Sequence, residues 1–250
     1  MIAWQPDAAL PALQTQFGGD PFGALALAGR MAYDASYAFA GAWRVGNAAL
    51  LGRLNGTFAL SGTLSAADCA ELNRFLPMIG CGRWQTSDRV TCIGAKRRRT
   101  GVVLRHVGTA DRRTIRSTVP DARTATAILA DSPSPWMVIS QPDAFYVDLS
   151  HRMRHGHIRA RAVRAADGTA AACALTWAET DRIAVLAVAC RPAFRGHGYA
   201  SQALRALCAE LHAAGKVPTV MTGDACVPFY RQNGFEPAGK WIEWETEDAP

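Results

Sequence analysis

The feature that most constrains this chain is the run Val188-Ala-Cys-Arg-Pro-Ala-Phe-Arg-Gly-His-Gly-Tyr-Ala200. There a strand-like apolar stretch gives way to a glycine-rich turn and then to a helix-forming sequence. Gly196 and Gly198 let the backbone turn tightly and approach a ligand closely. Successive N–H groups at the start of the helix point outward beside the positive end of its dipole, which suits a pyrophosphate. The plainer reading is a tight strand-to-helix connection. Neither G-x-G-x-x-G nor G-x-x-x-x-G-K-[ST] occurs at this turn, so the ordinary dinucleotide and nucleoside-triphosphate fingerprints are excluded there.

The surrounding pattern supports a mixed fold. Upstream lie a predicted helix over 143–154, strands over 158–164, 170–177 and 183–190, and a turn at Ala166-Asp167-Gly168, which together imply an antiparallel meander. Downstream come a helix over 199–214 stopped by Gly215, a strand over 217–222 and a short helix over 228–232 closed by Asn233-Gly234. The last strand carries alternating Trp241, Glu243 and Glu245.

At 250 residues the chain is long enough for two ordinary units. The stretch Asp131-Ser132-Pro133-Ser134-Pro135 has the composition of a connection, and the expected units are 1–130 and 136–250. The first half predicts a helix over 21–33, strands over 39–44, 48–53 and 57–61 with an Asn55-Gly56 hairpin, and a helix over 66–76. Ser65 is the N-cap of that helix, with Asp68 at its third position, and strands over 90–94 and 102–107 follow. The fold class is α+β, a mixed and mostly antiparallel sheet flanked by helices.

Arg195-Gly196-His197-Gly198-Tyr199-Ala200 resembles the [RQ]-x-x-G-x-[GA] acetyl-CoA motif of the GNAT superfamily of N-acetyltransferases. Tyr230-Arg-Gln-Asn-Gly234-Phe235 is similar to that family's Y-x-x-x-G-F signature. The resemblance covers roughly 183–235. It implies a GNAT-like acyl-CoA N-acyltransferase fold, with a degenerate GNAT-like repeat lacking the cofactor motif in the first half, forming a wall of the acceptor pocket. An unrelated structural extension is the alternative. It also implies acetyl-CoA as acyl donor, its pantetheine arm beside Ala187, Val188 and Cys190 and its pyrophosphate on the amides of Arg195, Gly196, His197, Gly198, Tyr199, Ala200 and Ser201. Tyr230 would protonate the departing thiolate. Tyr230 packing against Phe235 is the structural alternative.

Glu179 and Asp181 are candidate bases for the amine, against a solvated hairpin turn or a water chain, and Glu179 is the expected catalytic partner of Tyr230. The Val188 N–H would meet the oxyanion. An acetyl-Cys190 intermediate is the minor alternative to direct transfer in a ternary complex. The family often has an Asn shortly before the tyrosine, whereas this chain has Asp224-Ala-Cys-Val-Pro228.

Charge and cysteines narrow the remaining classes. The net charge is +6, and residues 96–123 hold nine basic residues against Asp111 and Asp121. Lys96 to Arg99, with Arg112, Arg113 and Arg116, reads as a solvated loop, and a nucleic acid is not the expected partner despite this run. Seven cysteines without a C-x-x-C pair point to reduced, mostly buried thiols, and Met1 to Leu10, with no basic region and no sustained apolar run, does not read as a secretory signal, so a cytoplasmic protein is expected. His151, His155 and His157 stand among arginines, and no metal is expected. No apolar stretch has the length of a membrane span. The expected activity is N-acetyl transfer to a primary amine of a small molecule or peptide. A non-catalytic acyl-CoA-binding regulatory module is the alternative, and a basic RNA- or DNA-associated protein the third reading.

Overall fold

The computed structural model describes residues 1–108, 116–134 and 139–246. Its strands are β1 (Ile2–Trp4), β2 (Ala40–Val45), β3 (Ala49–Leu54), β4 (Thr57–Gly62), β5 (Arg83–Ser87), β6 (Ala95–His106), β7 (Ala160–Arg164), β8 (Ala170–Glu179), β9 (Ile183–Cys190), β10 (Val217–Thr222) and β11 (Phe235–Thr246). The α-helices are α1 (Leu10–Phe17), α2 (Pro21–Ala32), α3 (Ala66–Met78), α4 (Ala122–Ala130), α5 (Pro142–Arg154), α6 (Tyr199–Ala213) and α7 (Val227–Gln232). Among the described residues no helix is long and apolar enough to cross a membrane.

Two compact units emerge. One holds Met1–Val103, Ala178–Ile183 and Pro237–Pro250; the other holds Leu104–Trp177 and Ala184–Glu236. Strands β6 and β11 therefore each contribute residues to both. Asp131 to Ser134, expected as a connection, fall inside the second unit, and Pro135 lies outside the described residues.

In the first unit the strand order is β1-β2-β3-β4-β5-β11. Asn55 and Gly56 take φ of 48° and 78°, and this two-residue turn sets Leu54 opposite Thr57 in the antiparallel β3–β4 pair. Alternation along β3 sends Leu51 into a core with Leu72, Leu76 and Trp84, and Leu50 into another with Leu13, Phe17 and Leu27. Helix α3 begins at a capping box between Ser65 and Asp68, as the sequence suggested. Gly52 is required where α2 crosses the sheet, because a Cβ there would lie 1.9 Å from the Ala26 carbonyl oxygen.

Two expectations fail here. Residues 90–94 are not a strand: Val90 and Cys92 fill the core from an irregular segment, and the strand is β5, whose Trp84 pairs with Trp244 of β11. Lys96 to Arg99 are not a loop but part of β6, where Arg98 and Arg99 reach the buried Glu243 and Arg97 lies over Trp244. Arg112 and Arg113 lie outside the described residues.

In the second unit the order is β11-β6-β10-β9-β8-β7, with β7 and β8 antiparallel. One core gathers Ile128 and Leu129 of α4, Leu149 of α5 and Cys173, Leu175 and Ala189 of the sheet. Helix α6 buries Ala203, Leu204, Leu207, Cys208 and Leu211, a stripe at helical spacing. Helix α4 was not expected; its Ala- and Thr-rich sequence has a weak apolar period, and the Asp121 carboxylate accepting from the Thr124 N–H at 2.6 Å marks its start.

Candidate functional site

Strand β9 runs into one 3-10 turn, Pro192–Phe194, before the glycine-rich turn and α6. Pro192 starts that turn, and the N–H groups of Phe194 and Arg195 are used within it, on the carbonyls of Arg191 and Pro192. The amide of Arg195, expected to face a ligand, is therefore committed. From Gly196 to Ser201 the main-chain N–H groups have no hydrogen-bond partner among the described residues, and the first helical bond is Gln202 N–H to the Gly198 carbonyl at 3.1 Å. Gly198 caps α6 with φ 79° and Gly196 has φ 80°, conformations that favour glycine, with open space where each Cβ would stand. The turn is exposed. His197 Nδ1 lies 2.9 Å from the Arg195 carbonyl, and Arg195 Nε donates to the Cys190 carbonyl at 3.3 Å. A row of unused donors at the positive end of a 15-residue helix fits an anionic diphosphate.

Preceding this turn, Ala187, Val188 and Cys190 are half-buried, while Ala189 packs into the core. Burial raises the Cys190 thiol above its ordinary value, an effect that the nearby Arg195 only partly opposes. A thiol so protonated is a poor nucleophile.

Tyr230 sits on α7 and is 9% exposed, with its ring edge-on to Phe229 and Phe235. Its hydroxyl has no hydrogen-bond partner among the described residues. Burial, with smaller contributions from Cys226 and Cys208, pushes the phenol well above its ordinary value, so it stays protonated. Gly234 closes α7 with φ +83°, and its carbonyl accepts from the N–H groups of Val107 and Gly108 at 2.9 and 3.3 Å. The carbonyl of Asn233 accepts from the buried His106, whose Nδ1 is 2.7 Å from His212 Nε2.

Residues 126–235 match the model of the acetyltransferase (GNAT) family. Several solved structures share the fold. An acetyltransferase of the GNAT family from Colwellia psychrerythraea is 13% identical over 99% of this chain and 100% of its own, with a TM-score of 0.60. A putative GNAT acetyltransferase from Novosphingobium aromaticivorans is 20% identical over 79% of this chain and 88% of its own, with a TM-score of 0.55. A tandem GNAT protein from the clavulanic acid biosynthesis pathway is 14% identical over 100% of this chain and 99% of its own, with a TM-score of 0.56. A sequence comparison with curated proteins found no match.

The residues expected to bind the donor, between Ala187 and Ser201, and Tyr230 all belong to the second unit. Glu179 and Asp181 belong to the first: Glu179 is half-buried at the end of β8, and Asp181 is exposed in the turn that follows. That turn is organised by Thr180, whose buried hydroxyl donates to the Gly18 carbonyl at 2.7 Å and accepts from Ile183 N–H at 3.2 Å. Asp224, in the stretch that departs from the family pattern, is exposed in the 3-10 turn before α7.

His151 and His155 have ring centroids 4.4 Å apart at the end of α5. Among the described residues no three His, Cys, Asp or Glu side chains gather as metal ligands do. Of the seven free cysteines five are buried, Cys190 is half-buried and Cys226 is exposed. What the sequence reading missed is Asn233, whose side chain bonds both α6 and α7. The sequence marks that residue only as part of an Asn-Gly helix stop.

Proposed function

We propose that this protein is an acetyl-CoA-dependent N-acetyltransferase acting on a primary amine of a small molecule or a peptide by direct attack in a ternary complex. The observation that supports this most is the row of unused main-chain N–H groups from Gly196 to Ser201 at the head of α6. In this reading those amides hold the diphosphate of the donor, and Ala187, Val188 and Cys190 line its pantetheine arm. Acetyl-CoA supplies a thioester carbonyl. The amine nitrogen bonds to that carbon, the Val188 N–H meets the oxyanion, the carbon–sulfur bond breaks, and Tyr230 gives its proton to the departing sulfur. Glu179, directly or through water, takes the proton that the amine loses. The region 1–130 is read as a GNAT-like unit without a cofactor motif.

The test couples calorimetric titration of coenzyme A with a thiol-release assay over a panel of amines. Tyr230→Phe is expected to lower kcat about a hundredfold while the Kd for coenzyme A stays within about twofold. Unchanged turnover would remove Tyr230 from the mechanism, and no binding heat would remove the donor assignment. Binding without turnover on any amine would identify a regulatory acyl-CoA-binding module instead.

A further inference from the structure

Asn233 is 5% exposed and sits at the C-cap of α7. Asparagine often ends a helix because it tolerates a left-handed backbone. That is not its use here: Asn233 has φ −103° and ψ 21°, and the positive φ falls to Gly234. Its side chain is instead fully engaged. Nδ2 donates to the Phe229 carbonyl at 2.8 Å and to Ser201 Oγ at 3.1 Å, and Oδ1 accepts from Arg205 Nε at 3.1 Å. Its own N–H donates to the Tyr230 carbonyl at 3.0 Å.

Ser201 and Arg205 stand four apart on α6, so both meet the same amide. Ser201 lies in the first turn of α6, where the main-chain N–H groups are unused. Phe229 and Asn233 bracket Tyr230. One buried amide thus ties the donor-facing turn of α6 to the helix that carries the phenol.

We infer that Asn233 is a positioning residue that fixes the first turn of α6 against α7, and so sets the anion-binding amides and the Tyr230 hydroxyl in register. This rests on the acyl-transfer reading for its catalytic consequence, but not for the tether itself.

Two variants test it. Asn233→Leu removes all three side-chain bonds at similar volume, and Ser201→Ala removes only the link to the first turn of α6. Calorimetry with coenzyme A separates the number of sites from their affinity, so an irreversibly misfolded fraction lowers the stoichiometry and leaves Kd alone, and urea unfolding of each variant verifies that the remainder is fully folded before titration. For Asn233→Leu we expect Kd to rise about tenfold and kcat to fall about tenfold per folded site, the size of a buried hydrogen-bonding group left unmatched. Ser201→Ala should raise Kd severalfold, and the double variant should be no worse in Kd than Asn233→Leu, because the two changes break one connection. A change in stoichiometry alone, or full additivity, would overturn the inference. Should Asn233→Leu not fold, Ser201→Ala and Arg205→Met carry the test by the same readouts. Amide exchange in the ligand-free protein decides the tether even if coenzyme A gives no heat, an outcome that refutes only the donor assignment. Faster exchange in both 202–205 and 229–233 sustains the tether, and a change confined to α7 refutes it.

Discussion

Gly234 shows how a single position combines local conformation and packing. Its φ of +83° favours glycine, and a Cβ there would stand 3.0 Å from His106 Nε2. Gly234→Ala is expected to lower stability by about 1–3 kcal/mol, read as a shift in the urea midpoint; an unchanged midpoint would mean that the corner relaxes freely. The Tyr230→Phe variant should behave oppositely. Among the described residues the hydroxyl has no partner to lose, so the melting temperature should stay within about 3 °C while turnover falls. Both residues were visible in the sequence because a spaced signature marks them. Asn233 was not, because its side-chain partners on α6 lie 28 and 32 positions away and nothing in a one-dimensional pattern joins them.

Among the elements, β6 and β11 are joined by a charge cluster inside the first unit. Burial pushes the Glu243 carboxyl up, but hydrogen bonds and charge from Arg99 and Arg98 outweigh it and hold the group below the usual range. Arg99 binds both carboxylate oxygens, at 3.0 and 2.8 Å. Arg99→Ala should cost about 2 kcal/mol, since a buried carboxylate then depends on Arg98 alone, and Glu243→Gln in the same background should recover part of that loss in urea unfolding. Additive losses would show that the charge is solvated after all. In the sequence Lys96 to Arg99 look like a solvated loop, because the acidic partner of Arg98 and Arg99 stands 144 or more residues away. Residues 90–94 likewise look like a strand, because Val90 and Cys92 alternate as strand residues do while filling a core from irregular backbone. The α3 capping box was legible, since all its partners lie within three residues.

For the whole molecule the clearest solution signature is acid sensitivity. Burial, then the neighbouring His212, lowers His106 from 6.5 to about 4, an effect that its bond to the Asn233 carbonyl only partly offsets. The unfolded chain therefore binds the proton more readily, and stability is full above pH 6.5 and is lost as pH falls towards 4. The loss is about 3 kcal/mol at most. Urea midpoints measured from pH 7 to 4 should fall across this window, above the range where Glu243 and the capping carboxylates Asp68 and Asp121 titrate, and His106→Gln should flatten the slope. A slope that survives this substitution would place its origin elsewhere. The sequence by itself determined the α+β class, the order of most second-half elements and the two segments that resemble GNAT motifs, because caps, turns and strand alternation act over a few residues. Only the tertiary structure decided which amides at the head of α6 remain unused, that β6 and β11 contribute to both units, and that Asn233 and His106 meet at one corner. Those outcomes depend on contacts between distant segments, where burial sets the strength of each hydrogen bond and charge.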